Sequence, residues 1–151
     1  MPSSIRGVLL RVFVVALAAL LLLGTAAPPA SASLSNREKK LFIKINKARQ
    51  NHGKKPLDLS LKISKKARNH SENMAQKGYI YHSCLTCKFK GWNWHALGEN
   101  VATGPGVKAV HKKFMRSPGH RANILGSQYD KVGVGIVWAK GKLWVTEIFY
   151  G

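Results

Sequence analysis

The last twenty residues or so alternate, and this constrains the fold more than any other feature of the chain. Val132, Val134, Ile136 and Trp138 occupy every second position, and beyond a turn at residues 139–142 so do Leu143, Val145, Glu147 and Phe149. Period-two spacing in both runs predicts a terminal hairpin, each strand with one face turned to a core. Upstream the apolar spacing is helical. Ser35 and Glu38 form a capping-box pair ahead of a stripe through Leu41, Phe42, Ile45 and Ala48, which ends near Asn51 and Gly53. A second helix fits residues 60–77, with Leu61, Ser64, Ala67, Met74 and Ala75 inward and Gly78 as its stop. A third fits residues 107–116 through Val107, Val110 and Phe114, and Pro118 halts it. Helices followed by a hairpin indicate an α+β fold. Glu147 stands out, because an unpaired carboxylate on a buried strand face is costly. It either faces water on an edge strand or projects into a polar cleft.

The first 32 residues read differently. Arg6 and Arg11 precede an apolar run at residues 12–23, and Ala30-Ser31-Ala32 has the small-x-small form of a signal-peptidase site. The run is short for a membrane span of about 20 residues. We therefore expect a signal peptide at residues 1–32 with cleavage after Ala32, and one exported domain at residues 33–151 without a transmembrane segment. That domain keeps 23 of the 25 basic residues and all six acids, a net charge of +17.

Cys84 and Cys87 are the only cysteines. In an exported chain they predict a short disulfide. A zinc set of His82, Cys84, Cys87 and His95 is the rival. A thioredoxin-like role ranks last, since no βαβ pattern surrounds the pair. A loop this short stabilises by less than the roughly 3 kcal/mol expected of a 15-residue one.

Three islands place titratable or amide side chains beside structure-breaking residues: His82-Ser83, Gly98-Glu99-Asn100, and the run from Ser117-Pro118-Gly119-His120 through Arg121-Ala122-Asn123 to Ile124-Leu125. In this order and spacing they resemble the signature of the CAP superfamily, the secreted SCP-like domains related to plant pathogenesis-related protein 1, in its short bacterial form. The likeness runs from about Leu34 to Gly151, and Asn46-Lys47-Ala48-Arg49 resembles the Asn-x-x-Arg element of the family's opening helix. The resemblance implies an α-β-α sandwich with a small antiparallel sheet between helical layers. It also implies that His82, Glu99 and His120 share a cleft of two histidines and two acids. The fourth member, an acid on the helix before the second histidine, is missing, since that helix offers His111, Lys112 and Lys113. Glu147 stands where the family pattern has Gln, and is a partial substitute for the missing acid.

Two neutral imidazoles and a carboxylate can hold a divalent ion such as zinc, giving His82, His120 and Glu99 as ligand candidates. The same groups can act as general base and acid on water. Alternatively, Glu99 and His120 only fasten two irregular segments together. No Gly-x-Ser-x-Gly or His-Glu-x-x-His element is present, and Ser83 is a poor nucleophile candidate because adjacency to His82 does not aim one side chain at the other.

Eighteen of the mature cations are Lys, dispersed over every segment. Such a surface suits diffuse attraction to polyanions rather than bidentate reading of bases, so nucleic-acid binding would follow from charge alone. For an exported monomer the abundant polyanions are cell-wall polymers and lipid headgroups. Residues 88–94, with Phe89, Trp92 and Trp94 among lysines, read either as an interfacial loop or as ordinary core with a solvated rim. The favoured function is a secreted binding module for anionic envelope material or lipid. The alternative is an extracellular, peptidase-like hydrolase using the His/Glu cleft.

Overall fold

The computed structural model describes residues 33–151, and the expected signal peptide at residues 1–32 lies outside them. Helix α1 (Asn36–Asn51) starts at the expected capping box. The Glu38 amide donates to Ser35 Oγ at 3.3 Å, and the Ser35 amide donates to Glu38 Oε2 at 2.8 Å. Glu38 has a larger task than capping. Arg68 Nε and Nη2 donate to its two oxygens at 2.9 and 2.7 Å, and the Ile136 amide donates to Oε1 at 3.2 Å. Burial pushes this carboxyl up, but Arg68 and the amides outweigh it and hold it below its ordinary value. One side chain thus ties the first helix to the second and to the sheet. Ser35→Ala should lower stability by about 1 kcal/mol, read as a shift of the urea midpoint; no shift would mean Arg68 and the backbone amides fix Glu38 without the Ser35 hydroxyl.

The remaining elements are β1 (Asp58–Leu59), α2 (Leu61–Lys77), α3 (Leu85–Lys88), β2 (Leu97–Gly104), α4 (Val107–Arg116), α5 (Pro118–Leu125), β3 (Lys131–Ala139) and β4 (Lys142–Tyr150). α2 runs from its Ser60 cap to Gly78, whose φ of 86° is the left-handed turn that glycine makes without strain. The sheet order is β1-β3-β4-β2. β3 and β4 form the expected hairpin, and β2 pairs antiparallel with β4 along its whole length. The sheet is not wholly antiparallel, because the two-residue β1 runs parallel to β3.

Helices cover both faces. On one face, Val132, Val134, Ile136, Leu143, Val145 and Phe149 pack in a single core with residues of α1, α4 and α5. On the other, Trp144 and Ile148 pack with Ile63, Ala67, Met74 and Phe89. This is the α-β-α sandwich that the islands implied. Two residues read as inward are not. Leu61 is 48% exposed because it opens the first turn of α2, and Trp138 is 52% exposed near the strand end, where Arg37 lies 5.8 Å above its ring.

α2 lies directly against β3. A Cβ at Gly133 would sit 2.4 Å from the Ile63 carbonyl carbon, and one at Gly135 would sit 2.1 Å from the Arg68 nitrogen. At these two glycines backbone approaches backbone, with the Ile63 Cγ2 methyl the one side-chain atom beside Gly133 at 2.5 Å.

Candidate functional site

The Gly98-Glu99-Asn100 island is not a loop. It lies in β2, the edge strand, so successive side chains leave on opposite faces of the sheet. Glu99 goes to the α2 side, where His82 Nδ1 lies 3.0 Å from Oε1. The Ser83 amide donates to the same oxygen at 2.8 Å, and the Ser83 hydroxyl donates to Oε2 at 2.5 Å. Ser83 thus serves as a clamp for Glu99. The alternative in which Glu99 pairs with His120 does not hold, since Glu99 pairs with His82.

Asn100 goes to the opposite side, directly across from Glu147 on β4. Its amide nitrogen donates to Glu147 Oε2 at 2.9 Å and to the His120 carbonyl at 3.1 Å. Asn123 on α5 donates to Asn100 Oδ1 at 3.0 Å and to the Glu99 carbonyl at 3.2 Å. A Cβ on Gly98 would fall 2.5 Å from Tyr129 Oη, so glycine permits the close approach of α5 and the Tyr129 segment. Pro118 opens α5, and His120 packs 5.0 Å from the Phe114 ring.

Glu147 is fully buried, which rules out a solvated edge position. It does not project into an open cleft either. It lies sealed beside Asn100, with Oε1 unpartnered, and burial pushes its carboxyl up to about 8. At neutral pH it is an acid holding its proton.

The two imidazoles of the islands lie close enough to feel each other's charge. Burial, then the neighbouring His82 and Lys113, keeps His120 below its ordinary value, and its Nδ1 has no partner. His70 escaped notice in the sequence, because at its place in α2 it reads as one more polar position. It is buried, places Nε2 2.7 Å from the Tyr81 carbonyl, and is pushed toward the neutral form mainly by desolvation.

Glu99 is not offered to an ion as a free carboxylate. Glu99 has spent both oxygens on His82 and Ser83, and His82 has spent Nδ1 on Glu99. Among the described residues no three His, Cys, Asp or Glu side chains converge to hold a metal. The zinc set built on the cysteines is excluded, since Cys84 and Cys87 are joined as a disulfide.

The family model of the cysteine-rich secretory proteins, CAP, matches residues 42–149. The chain belongs to the CAP family. YkwD of Bacillus subtilis, an uncharacterised protein, is 38% identical to this CAP chain over 135 residues, covering 84% of it and 51% of YkwD. An extracellular SCP-domain protein of Bacillus anthracis superposes with a TM-score of 0.65 at 24% identity, over 76% of this chain and 40% of that one. An outer surface protein of Borrelia burgdorferi gives 0.66 at 17% identity, over 75% and 90%. This CAP chain therefore spans about half the length of YkwD and less of the Bacillus anthracis protein. The two solved structures share its α+β fold, and both are extracellular or surface proteins by description.

A further concavity is one that the sequence did not announce. A groove of about 630 Å³ lies between α1 and the start of α4, with Ile43 and Val107 as its apolar lining and Arg37, Lys40, Lys44 and Lys108 around them. A shallower hollow continues from it over Ala109 and Lys112. Spacing alone hides such a groove, because Ile43, 62% exposed, falls off the buried stripe of α1.

Proposed function

We propose that this CAP protein is a secreted binding module whose α1–α4 groove takes anionic amphiphiles of the cell envelope. One observation carries the reading: the groove pairs an exposed apolar lining with four cations and no acid. An anionic headgroup gains from Arg37, Lys40, Lys44 and Lys108, while a chain laid along Ile43 and Val107 leaves water at about 25 cal/mol per Å². The net charge of +17 supports the same partner class by drawing the protein to anionic surfaces before the groove engages. The His/Glu cleft supports hydrolysis less well, since Glu99 is consumed in bonds and Glu147 is sealed.

The test is flotation with vesicles containing phosphatidylglycerol against vesicles of phosphatidylcholine alone. Binding should be confined to the anionic vesicles and fall steeply as salt rises over the Debye range of about 10 to 3 Å. Ile43→Ser should weaken binding several-fold at high salt, where burial dominates, and less at low salt. Binding indifferent to both salt and Ile43 would overturn the proposal.

A further inference from the structure

The disulfide sits on an unusual platform. Cys84 and Cys87 are both exposed and three residues apart, Cys84 capping and Cys87 within a helix α3 that contributes no buried residue. The segments on either side of the pair are fixed independently of it. On the N-terminal side, Ser83 is clamped to Glu99 by its amide and its hydroxyl. On the C-terminal side, Phe89 is fully buried among Ile63, Ala67 and Ile148, Trp92 packs edge-on at 5.1 Å from it, and the Tyr150 hydroxyl donates to the Asn93 carbonyl. A bridge closing so short a loop also removes little chain entropy from the unfolded state. The bond is therefore accessible, and the fold does not depend on it for anchorage.

We propose that Cys84–Cys87 is a thiol–disulfide exchange site that accepts thiolates of exported dithiol peptides. The cationic setting suits the chemistry. Lys88 follows Cys87 directly, with Glu99 and then Lys66 within charge range of it, so an approaching thiolate meets the Lys88 and Lys66 ammonium groups with Glu99 offsetting part of their potential. The Cys87 amide donates to Cys84 Sγ at 3.2 Å, which marks Cys84 as the better leaving thiolate.

The steps balance without a further reagent. The substrate thiolate attacks Cys87 Sγ, forms a mixed disulfide there, and expels Cys84 as thiolate. The second substrate thiol, deprotonated, attacks the substrate sulfur of that mixed disulfide and expels Cys87. The substrate leaves as a disulfide, and two electrons and two protons end on Cys84 and Cys87. The site thus performs one exchange per oxidised molecule, in the direction set by which partner is the stronger reductant.

The experiment mixes the oxidised mature protein with a short reduced Cys-x-x-Cys peptide at neutral pH, quenches with acid and alkylates. Label should move from the peptide to Cys84 and Cys87 at least about tenfold faster than the same peptide is oxidised by glutathione disulfide. Far-UV circular dichroism and tryptophan fluorescence should remain those of the oxidised protein. Cys84→Ala, mixed with the disulfide form of a monothiol peptide, should hold that peptide as a stable mixed disulfide at Cys87. Exchange no faster than glutathione, labelling only in denaturant, or loss of fold on reduction would each make the pair a structural staple and overturn the proposal.

Discussion

Glu147→Gln should stabilise the protein at pH 9 by on the order of 3–5 kcal/mol and leave it nearly unchanged at pH 4.5. The carboxyl is fully buried, accepts one hydrogen bond from Asn100, and has its pKa raised from 4.5 to about 8. Between those two values the folded chain keeps a proton that the unfolded chain has released. Folding therefore takes up a proton, and stability declines steadily as pH rises through the window. Above pH 8 both states are ionised, and the native state carries a buried charge with only the Asn100 amide beside it. Glutamine has nearly the same shape, offers the same acceptor to Asn100, and does not titrate. Urea unfolding at pH 5, 7 and 9 measures the difference. Parallel pH slopes for the two proteins would show that Glu147 is ionised and solvated in the native state.

Gly135→Ala should cost at least about 3 kcal/mol, the upper end of over-packing penalties. The added carbon would meet the Arg68 nitrogen at 2.1 Å, the Ala67 carbonyl carbon at 2.3 Å and the Arg68 Cα at 2.5 Å, all backbone atoms that cannot rotate aside. Relief requires lifting α2 from β3. That movement pulls Ser71 from the Gly135 carbonyl, to which it donates at 3.0 Å, and strains the Arg68–Glu38 pair. Gly119→Ala is the control, since nothing lies within 4 Å of its added carbon in α5, and it should be neutral or slightly stabilising. Equal effects of the two substitutions in denaturant titrations would refute the close contact.

The parts that were legible in the sequence are those where one face is buried and the other wet. α1, α2, α4 and the β3–β4 hairpin announce themselves through that asymmetry, and Ser35, Ser60, Gly78 and Pro118 mark their ends. β2 was hidden for the opposite reason. It is buried on both faces, yet it carries Glu99, Asn100 and two glycines, because Ser83, His82 and Asn123 supply bonds from outside the strand. Its polar residues therefore read as a loop. β1 is too short to show a pattern. The site shares this fate. The family likeness singled out His82, Glu99 and His120, but strand parity decides that Glu99 meets His82 while Asn100 turns toward His120. Parity is unknown until the segment is known to be a strand. The partner of Glu147 likewise follows from register alone.

The bare contact between α2 and β3 also divides the molecule by how readily its amides meet solvent. Because Gly133 and Gly135 bring the α2 and β3 backbones into direct contact, α2, β3 and β4 should separate only as a whole, and their amides should be the last to exchange with deuterium. α1 and α4 meet through side chains, and longer ones such as Ile43 can shift by changing rotamer. A guest can therefore widen the groove by local breathing on the α1–α4 side while the slab that carries His70 stays closed to exchange.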